Sequence, residues 1–206
     1  MKTAFFCVDA LVSNAEGDAL VAGSTCIPVA PTVTRLLEIA KETRATLLGT
    51  TCMGGGKRGP SSLQPPNGAW LAWETAQTEW QGWLEGVVSM IILERRRIGD
   101  RDADMNQRSF DVFAHHPQAA AVVQAVGAQR WIVFGASLEY CTRATVLGLL
   151  KHQVSVEVVT DACVGSPAGN EKSRQAAWEA LVSAGAKTTT TEEVLATLHL
   201  ERVTHD

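Results

Sequence analysis

The sequence predicts one three-layer α/β/α domain around a mainly parallel, Rossmann-like sheet of about six strands in the order 3-2-1-4-5-6. Three observations carry this. The apolar runs are short and rich in β-branched residues, and helix-length amphipathic stretches separate them, as in a parallel sheet covered on both faces. With 206 residues, 46% of them hydrophobic, the chain has material for one sizeable core and is short of the length at which chains usually divide. The elements also carry their own stop and start signals, among them the Gly185 that ends one helix and the T-x-E-E that opens the next. The single domain is expected to span 1–206, with a Gly/Pro- and Trp-rich insert at about 52–86.

Thr3 to Val8 reads as the first strand, with Asp9 at its carboxyl end. A polar loop with Gly17 and Gly23 follows, and Pro31 can occupy the first turn of a helix in which Val33, Leu36, Leu37 and Ala40 recur at helical spacing to about Thr43. Ala45 to Thr51 is the second strand. Ala119 to Val126 is a helix, Trp131 to Phe134 a strand, and Cys141 to Leu150 a helix opening after the turn GASLEY. Val154 to Val159 is the next strand, followed by a helix over 171–184, a short strand from Ala186 to Thr189 and a final helix over 191–198.

The middle of the chain is less regular. CMGGGKRGPSSLQPPNG is a Gly/Pro/Ser loop of the length found in lids and binding segments. Trp70, Trp73, Trp80, Trp83 and Leu84 then fall on one arc of a helix, which suits core packing, a subunit interface or an aromatic lid. Val87 to Leu93 is a further apolar run, and ERRRIGDRDAD after it reads as a solvated turn.

Charge narrows the partners. Eighteen Lys and Arg stand against 22 Asp and Glu, with no long block of either sign, so nothing marks a nucleic-acid or anionic-lipid surface. The amino-terminal apolar run is too short for a membrane span and has no small-residue cleavage site, which leads to the expectation of a cytoplasmic protein without membrane partners. The five cysteines (Cys7, Cys26, Cys52, Cys141, Cys163) are odd in number and form no C-x-x-C pair, so they read as free thiols.

Ligands of an open parallel sheet bind beyond the carboxyl ends of its strands. Asp9 ends the first strand there, and Cys141 follows a strand at a helix start, where backbone N–H groups and the helix dipole would lower a thiol pKa. Asp9 could equally cap a turn, and Cys141 could equally be a small buried helix residue. GGGKRG lacks the GxxxxGK[ST] of a phosphate loop, since Arg58, Gly59 and Pro60 follow the lysine. His115 and His116, before Pro117, read as loop histidines, and no residues have metal-ligand spacing. No cofactor is expected.

The stretch WIVFGASLEYCTRATVLGLLKHQVSVEVVTDAC, with SRQAAWEALVSAGAKTTTTEEVLATL after it, resembles the carboxyl half of the isochorismatase-like cysteine hydrolases. FFCVDALV, GDALVAG, IPVAPTVTRLLEIAKET and SFDVF match the amino half more loosely. The resemblance implies Cys141 as nucleophile and Asp9 as the base that takes its proton. It also implies an oxyanion hole around Ala136, Ser137 and Tyr140, with a cis peptide at Ala136–Ser137. The family's catalytic Lys, counted back from SFDVF, falls on Gln107, which leaves Arg108 or Lys57 as stand-in cations. Where the nicotinamidase branch has an Asp/His metal cluster, this chain reads TTCMGGGK. The expected activity is metal-independent hydrolysis of a small amide or related C–N bond through a thioester-type intermediate. The alternatives are an isochorismatase-type vinyl-ether hydrolase and a silent member that binds a small molecule or a partner. A homo-oligomer is expected from the family and from the Trp stripe.

Overall fold

A run of residues apolar on both faces can be accommodated only between two covering layers, and TAFFCV does this at the centre of the sheet. The computed structural model describes residues 1–13, 20–22, 24–52, 68–71, 89–95 and 110–203. In chain order the elements are β1 (Thr3–Val8), β2 (Leu11–Ser13), β3 (Leu20–Ala22), α1 (Ala30–Glu42), β4 (Thr46–Cys52), β5 (Gly68–Leu71) and β6 (Met90–Arg95). They continue as α2 (Val112–His115), α3 (Ala119–Val126), β7 (Arg130–Ala136), α4 (Arg143–Leu150), β8 (Ser155–Val164), α5 (Glu171–Ser183), β9 (Lys187–Thr189) and α6 (Thr191–Val203).

Seven strands form one sheet in the order β5-β6-β4-β1-β7-β8-β9, with every pairing parallel. Without β5 this is the expected 3-2-1-4-5-6 order, and β5 adds a seventh strand at the edge beside β6. β2 and β3 pair antiparallel as a separate hairpin within the stretch read as a polar loop. Trp70 belongs to β5, opposite Ile92, so the helix expected from Trp70 onward does not begin there. Its other members, Trp73, Trp80, Trp83 and Leu84, lie outside the described residues.

The period-2 alternation of the strands divides the core into the two expected layers. Ala4, Phe6, Val8, Trp131 and Val133 face α3, α4 and α5, packing with Val122, Val146, Leu149 and Leu181. Phe5, Cys7, Ile132 and Phe134 face α1 and α6, packing with Val33, Leu36, Ile39 and Val194. The helix ends follow their sequence signals. Thr190 and Glu193 make the reciprocal cap of α6, with the Thr190 N–H donating to Glu193 Oε2 at 2.8 Å and the Glu193 N–H donating to Thr190 Oγ1 at 3.3 Å. Asn170 and Ser173 do the same for α5.

Two local features differ from the sequence reading. β8 runs past the expected end at Val159 to Val164, so Cys163 is a strand residue opposite Gly135. His115 ends α2 and is not in a loop, whereas His116 lies in the loop before α3 and is buried: its Nδ1 accepts from the Gln118 N–H at 3.2 Å, which leaves Nε2–H to donate to the Leu71 carbonyl at 3.1 Å. This ties the edge strand β5 to the turn between α2 and α3. Burial lowers the His116 pKa below its ordinary value, the Leu71 carbonyl opposing the shift.

Gly135 is a point of close approach between β7 and β1. It lies at φ +126°, and a Cβ there would come within 2.1 Å of the Val8 carbonyl oxygen. Gly135→Ala is expected to destabilise the fold by about 3 kcal/mol or more, read from the urea midpoint, because neither strand backbone can yield. An unchanged midpoint would show that the strands can part here. For His116, whose proton affinity is lower folded than unfolded, full stability holds above the ordinary histidine value of 6.5 and declines as pH falls below it. The urea midpoint should drop between about pH 7 and pH 5, and His116→Gln should flatten that slope.

Candidate active site

Four neighbouring strands, β6, β4, β1 and β7, bring their carboxyl ends to one place. The chain fills one side of β1 first and then crosses to β7 on the other, so this is the point where the connections reverse direction. The structure brings Asp9 and Cys141 together here, with two residues that sequence reasoning did not assign to the site, Arg95 and Thr50.

Side-chain alternation explains who meets whom. Arg95 has the same parity as Ile91 and Leu93, and Thr50 the same parity as Leu48, so both point to the sheet face that also receives Leu138 and Cys141. Asp9 continues the parity of Phe5 and Cys7 and would point to the opposite face. It does not, because its backbone turns into the left-handed region at φ +49°, a conformation uncommon outside glycine but better tolerated by Asp than by most residues.

Arg95 is the last residue of β6, which is separated from β1 by β4, about 10 Å across the sheet. Its guanidinium spans that gap. Nε donates to Asp9 Oδ1 at 3.3 Å, Nη2 donates to Asp9 Oδ2, and Nη2 also lies 3.2 Å from the Cys141 sulfur. Arg95 is 2% exposed, so ERRRIGDRDAD is not entirely a solvated turn. Its first arginine closes a strand and supplies a cation that touches both groups. Gln107, Arg108 and Lys57, the positions from which that cation was sought, lie outside the described residues. Thr50, fully buried, donates from Oγ1 to Asp9 Oδ1 at 2.9 Å and accepts the Asp9 N–H at 3.2 Å.

Cys141 lies in a single π-type turn, Leu138–Thr142, that precedes α4. The Ala136–Ser137 peptide before this turn is cis. The Tyr140 and Thr142 N–H groups both donate to the Ser137 carbonyl, at 3.0 and 3.1 Å, so Tyr140 spends its N–H inside the turn and is not a free oxyanion donor. Its ring is partly exposed and stacks on Phe110 of SFDVF at 4.9 Å. Glu139, another residue unassigned from sequence, is buried, with Oε2 accepting the Ser166 N–H at 2.7 Å and Oε1 lying 3.8 Å from Arg174 Nε, which pins the turn to the loop after β8.

The helix start does not lower the Cys141 pKa. Burial, followed by the Asp9 charge and a hydrogen bond with Asp9, pushes the thiol up to about 12 against the opposing pull of Arg95 and the Ser137 backbone. Burial likewise raises Cys7, Cys26 and Cys163, so none of these four is a resting thiolate at neutral pH. What sets Cys141 apart is its company: a carboxylate able to take the proton and a guanidinium able to hold the sulfur anion. Among the described residues no group of three or more His, Cys, Asp or Glu could hold a metal ion, and no helix is long and apolar enough to cross a membrane.

Removing the guanidinium withdraws the one charge that lowers the thiol pKa. Arg95→Ala should therefore slow iodoacetamide alkylation of Cys141 roughly tenfold between pH 7 and 9, and should cost about 3–5 kcal/mol of stability by leaving Asp9 partly buried without its counter-charge. Arg95→Lys should recover more of the rate than of the stability, since it restores the charge without the two-pronged grip. Equal alkylation rates in wild type and Arg95→Ala would remove Arg95 from the site.

The isochorismatase domain model matches residues 3–193. A search of curated protein sequences returns no significant match. Among solved structures, an isochorismatase-like hydrolase from Alkaliphilus metalliredigens is similar at 15% identity and TM-score 0.61, covering 96% of this chain and 99% of that one. A zinc complex of the pyrazinamidase of Pyrococcus horikoshii matches at 19% identity and TM-score 0.59, covering 92% and 99%. The YcaC gene product of Escherichia coli, described as an octameric hydrolase of unknown specificity, matches at 22% identity and TM-score 0.53, covering 94% and 77%. The fold, the reversal point at the carboxyl edge of the sheet and the domain match agree, and the chain belongs to the isochorismatase domain family.

Proposed function

We propose that the chain is a metal-independent cysteine hydrolase that cleaves a small amide or a related C–N bond, with Cys141 as nucleophile, Asp9 as general acid and base, and Arg95 as the fixed cation. The observation that carries this reading is the single guanidinium that touches both the Asp9 carboxylate and the Cys141 sulfur. A silent binder has no evident need to bury such a group between a carboxylate and a thiol. The amide class is supported by the likeness to a pyrazinamidase. The MGGGK that follows β4 offers no His, Cys, Asp or Glu, a donor set that does not suit a zinc ion, so no step is assigned to a metal.

In the proposed reaction the thiol proton passes to Asp9 as sulfur attacks the carbonyl carbon, and the carbonyl oxygen takes up negative charge. The Cys141 N–H is the donor assigned to that oxyanion, since the N–H groups on either side of it serve Ser137. As the C–N bond breaks, the amine leaves with the proton held on Asp9, and a thioester remains. Water then gives a proton to Asp9 and attacks the thioester, and the departing sulfur recovers that proton. Arg95 stays charged throughout and stabilises the sulfur anion in both half-reactions. The reading includes a homo-oligomer, supported by the octameric neighbour.

A panel of small amides and imides tests it. Turnover of at least one should survive dialysis against EDTA and fall on the order of a thousandfold or more in Cys141→Ser, and mass spectrometry of the quenched wild type should find an acyl group on the Cys141 peptide. Unchanged turnover in Cys141→Ser would sink the thioester route, and turnover of a vinyl ether tested beside the panel would favour the isochorismatase-type reaction instead.

A further inference from the structure

The two oxygens of the Asp9 carboxylate are not equivalent. Oδ1 accepts from Thr50 Oγ1 at 2.9 Å and from Arg95 Nε at 3.3 Å, which occupies both of its lone-pair directions. Oδ2 accepts from Arg95 Nη2, which leaves its second lone-pair direction available to the Cys141 thiol. The Thr50 hydroxyl also accepts the Asp9 N–H, at 3.2 Å, while the Thr50 carbonyl accepts the same N–H at 3.1 Å. One buried hydroxyl thus links the backbone and the carboxylate of a single residue, and it does so where the Asp9 backbone is at φ +49°. Both hydroxyl functions are used, which is what a polar group with no exposure requires.

We propose that Thr50 is a positioning residue that fixes the Asp9 side chain and fills Oδ1, so that the proton of Cys141 is delivered to Oδ2. In that step the S–H bond breaks with its electron pair left on sulfur, and an O–H bond forms at Oδ2. The Arg95 Nη2 group that contacts Oδ2 is the same one that contacts the sulfur, so proton donor, acceptor and counter-charge share one small region. The proposal rests on the reading of Asp9 as the base.

Thr50→Val keeps the shape of the side chain and removes the hydroxyl, whereas Thr50→Ser keeps the hydroxyl and removes a methyl. With one donor to the carboxylate gone, Asp9 holds a proton to higher pH, so the acid limb of kcat/KM for an amide substrate should move up by about one pH unit in Thr50→Val. kcat should fall roughly tenfold or more, with KM changed less than about threefold, and Thr50→Ser should restore both. A Thr50→Val protein that melts earlier but keeps the wild-type acid limb and kcat would make Thr50 a packing residue and overturn the proposal. If the wild type cleaves no amide, the reading of the reaction fails while Thr50 is still tested, by following the Asp9 carboxyl carbon through a pH titration by carbon-13 NMR. A midpoint that rises in Thr50→Val and returns in Thr50→Ser supports the positioning role, and one that does not move refutes it. Thr50→Ala replaces Thr50→Val in the same measurements if the valine variant does not fold.

Discussion

A guanidinium that is 2% exposed has lost nearly all of its water, and only a well-placed anion with good hydrogen bonds can offset a desolvation cost of several kcal/mol. Arg95 meets that requirement with Asp9, and the geometry around the pair follows from it. The cation belongs to β6 and the anion to the end of β1, with β4 between them, so the pair closes only if the three strands hold register to their last residues. Gly135 lets β7 approach Val8 where a side chain would force the strands apart, and this brings the Cys141 turn within reach of the same guanidinium. Asp9 must abandon the alternation of its strand to face the pair, and Thr50 holds it in that turned position.

Much of the fold was legible because its signals are local. β1, α3 and the opening of α6 follow from apolar periodicity and caps, and the order of six strands is that of the doubly wound parallel sheet which the alternating strand and helix pattern implies. β5 was missed because Gly68–Leu71 is four residues long and Trp70 fits a helical stripe as readily as a strand. The strand expected to end at Val159 runs on to Val164 through Thr160 and Asp161, polar residues that normally end a strand.

The site was legible in part, for a physical reason that differs from residue to residue. Asp9 and Cys141 lie next to strand ends that periodicity locates well. Arg95 was hidden by its neighbours, because ERRR looks like any solvated charge run, and counting back from SFDVF assumes a fixed spacing between that motif and the preceding strand. The usable signal was the position itself: MIILER is an apolar strand whose final residue is charged, and the carboxyl ends of strands beside β1 are where this fold gathers its chemistry. Thr50 carried no such signal, since a threonine in a strand is ordinary until its hydroxyl is seen to face a carboxylate.

A thiol held at about 12 is not by itself evidence against a nucleophile, because the causes of the shift point the other way. After burial, the largest of them is the charge on Asp9, and that charge disappears when Asp9 accepts the proton. On the proposed reading the thiolate forms beside a neutral carboxyl and a fixed guanidinium, an environment quite different from the one that kept the thiol protonated. Arg95 cannot supply or remove a proton itself, because an arginine stays charged across the accessible pH range. A lysine in its place could exchange protons with the pair, whereas arginine restricts the traffic to a single proton passing between sulfur and carboxylate. On the proposed reading, the resting site keeps its nucleophile masked, and the same proton that masks it is later available to the leaving amine.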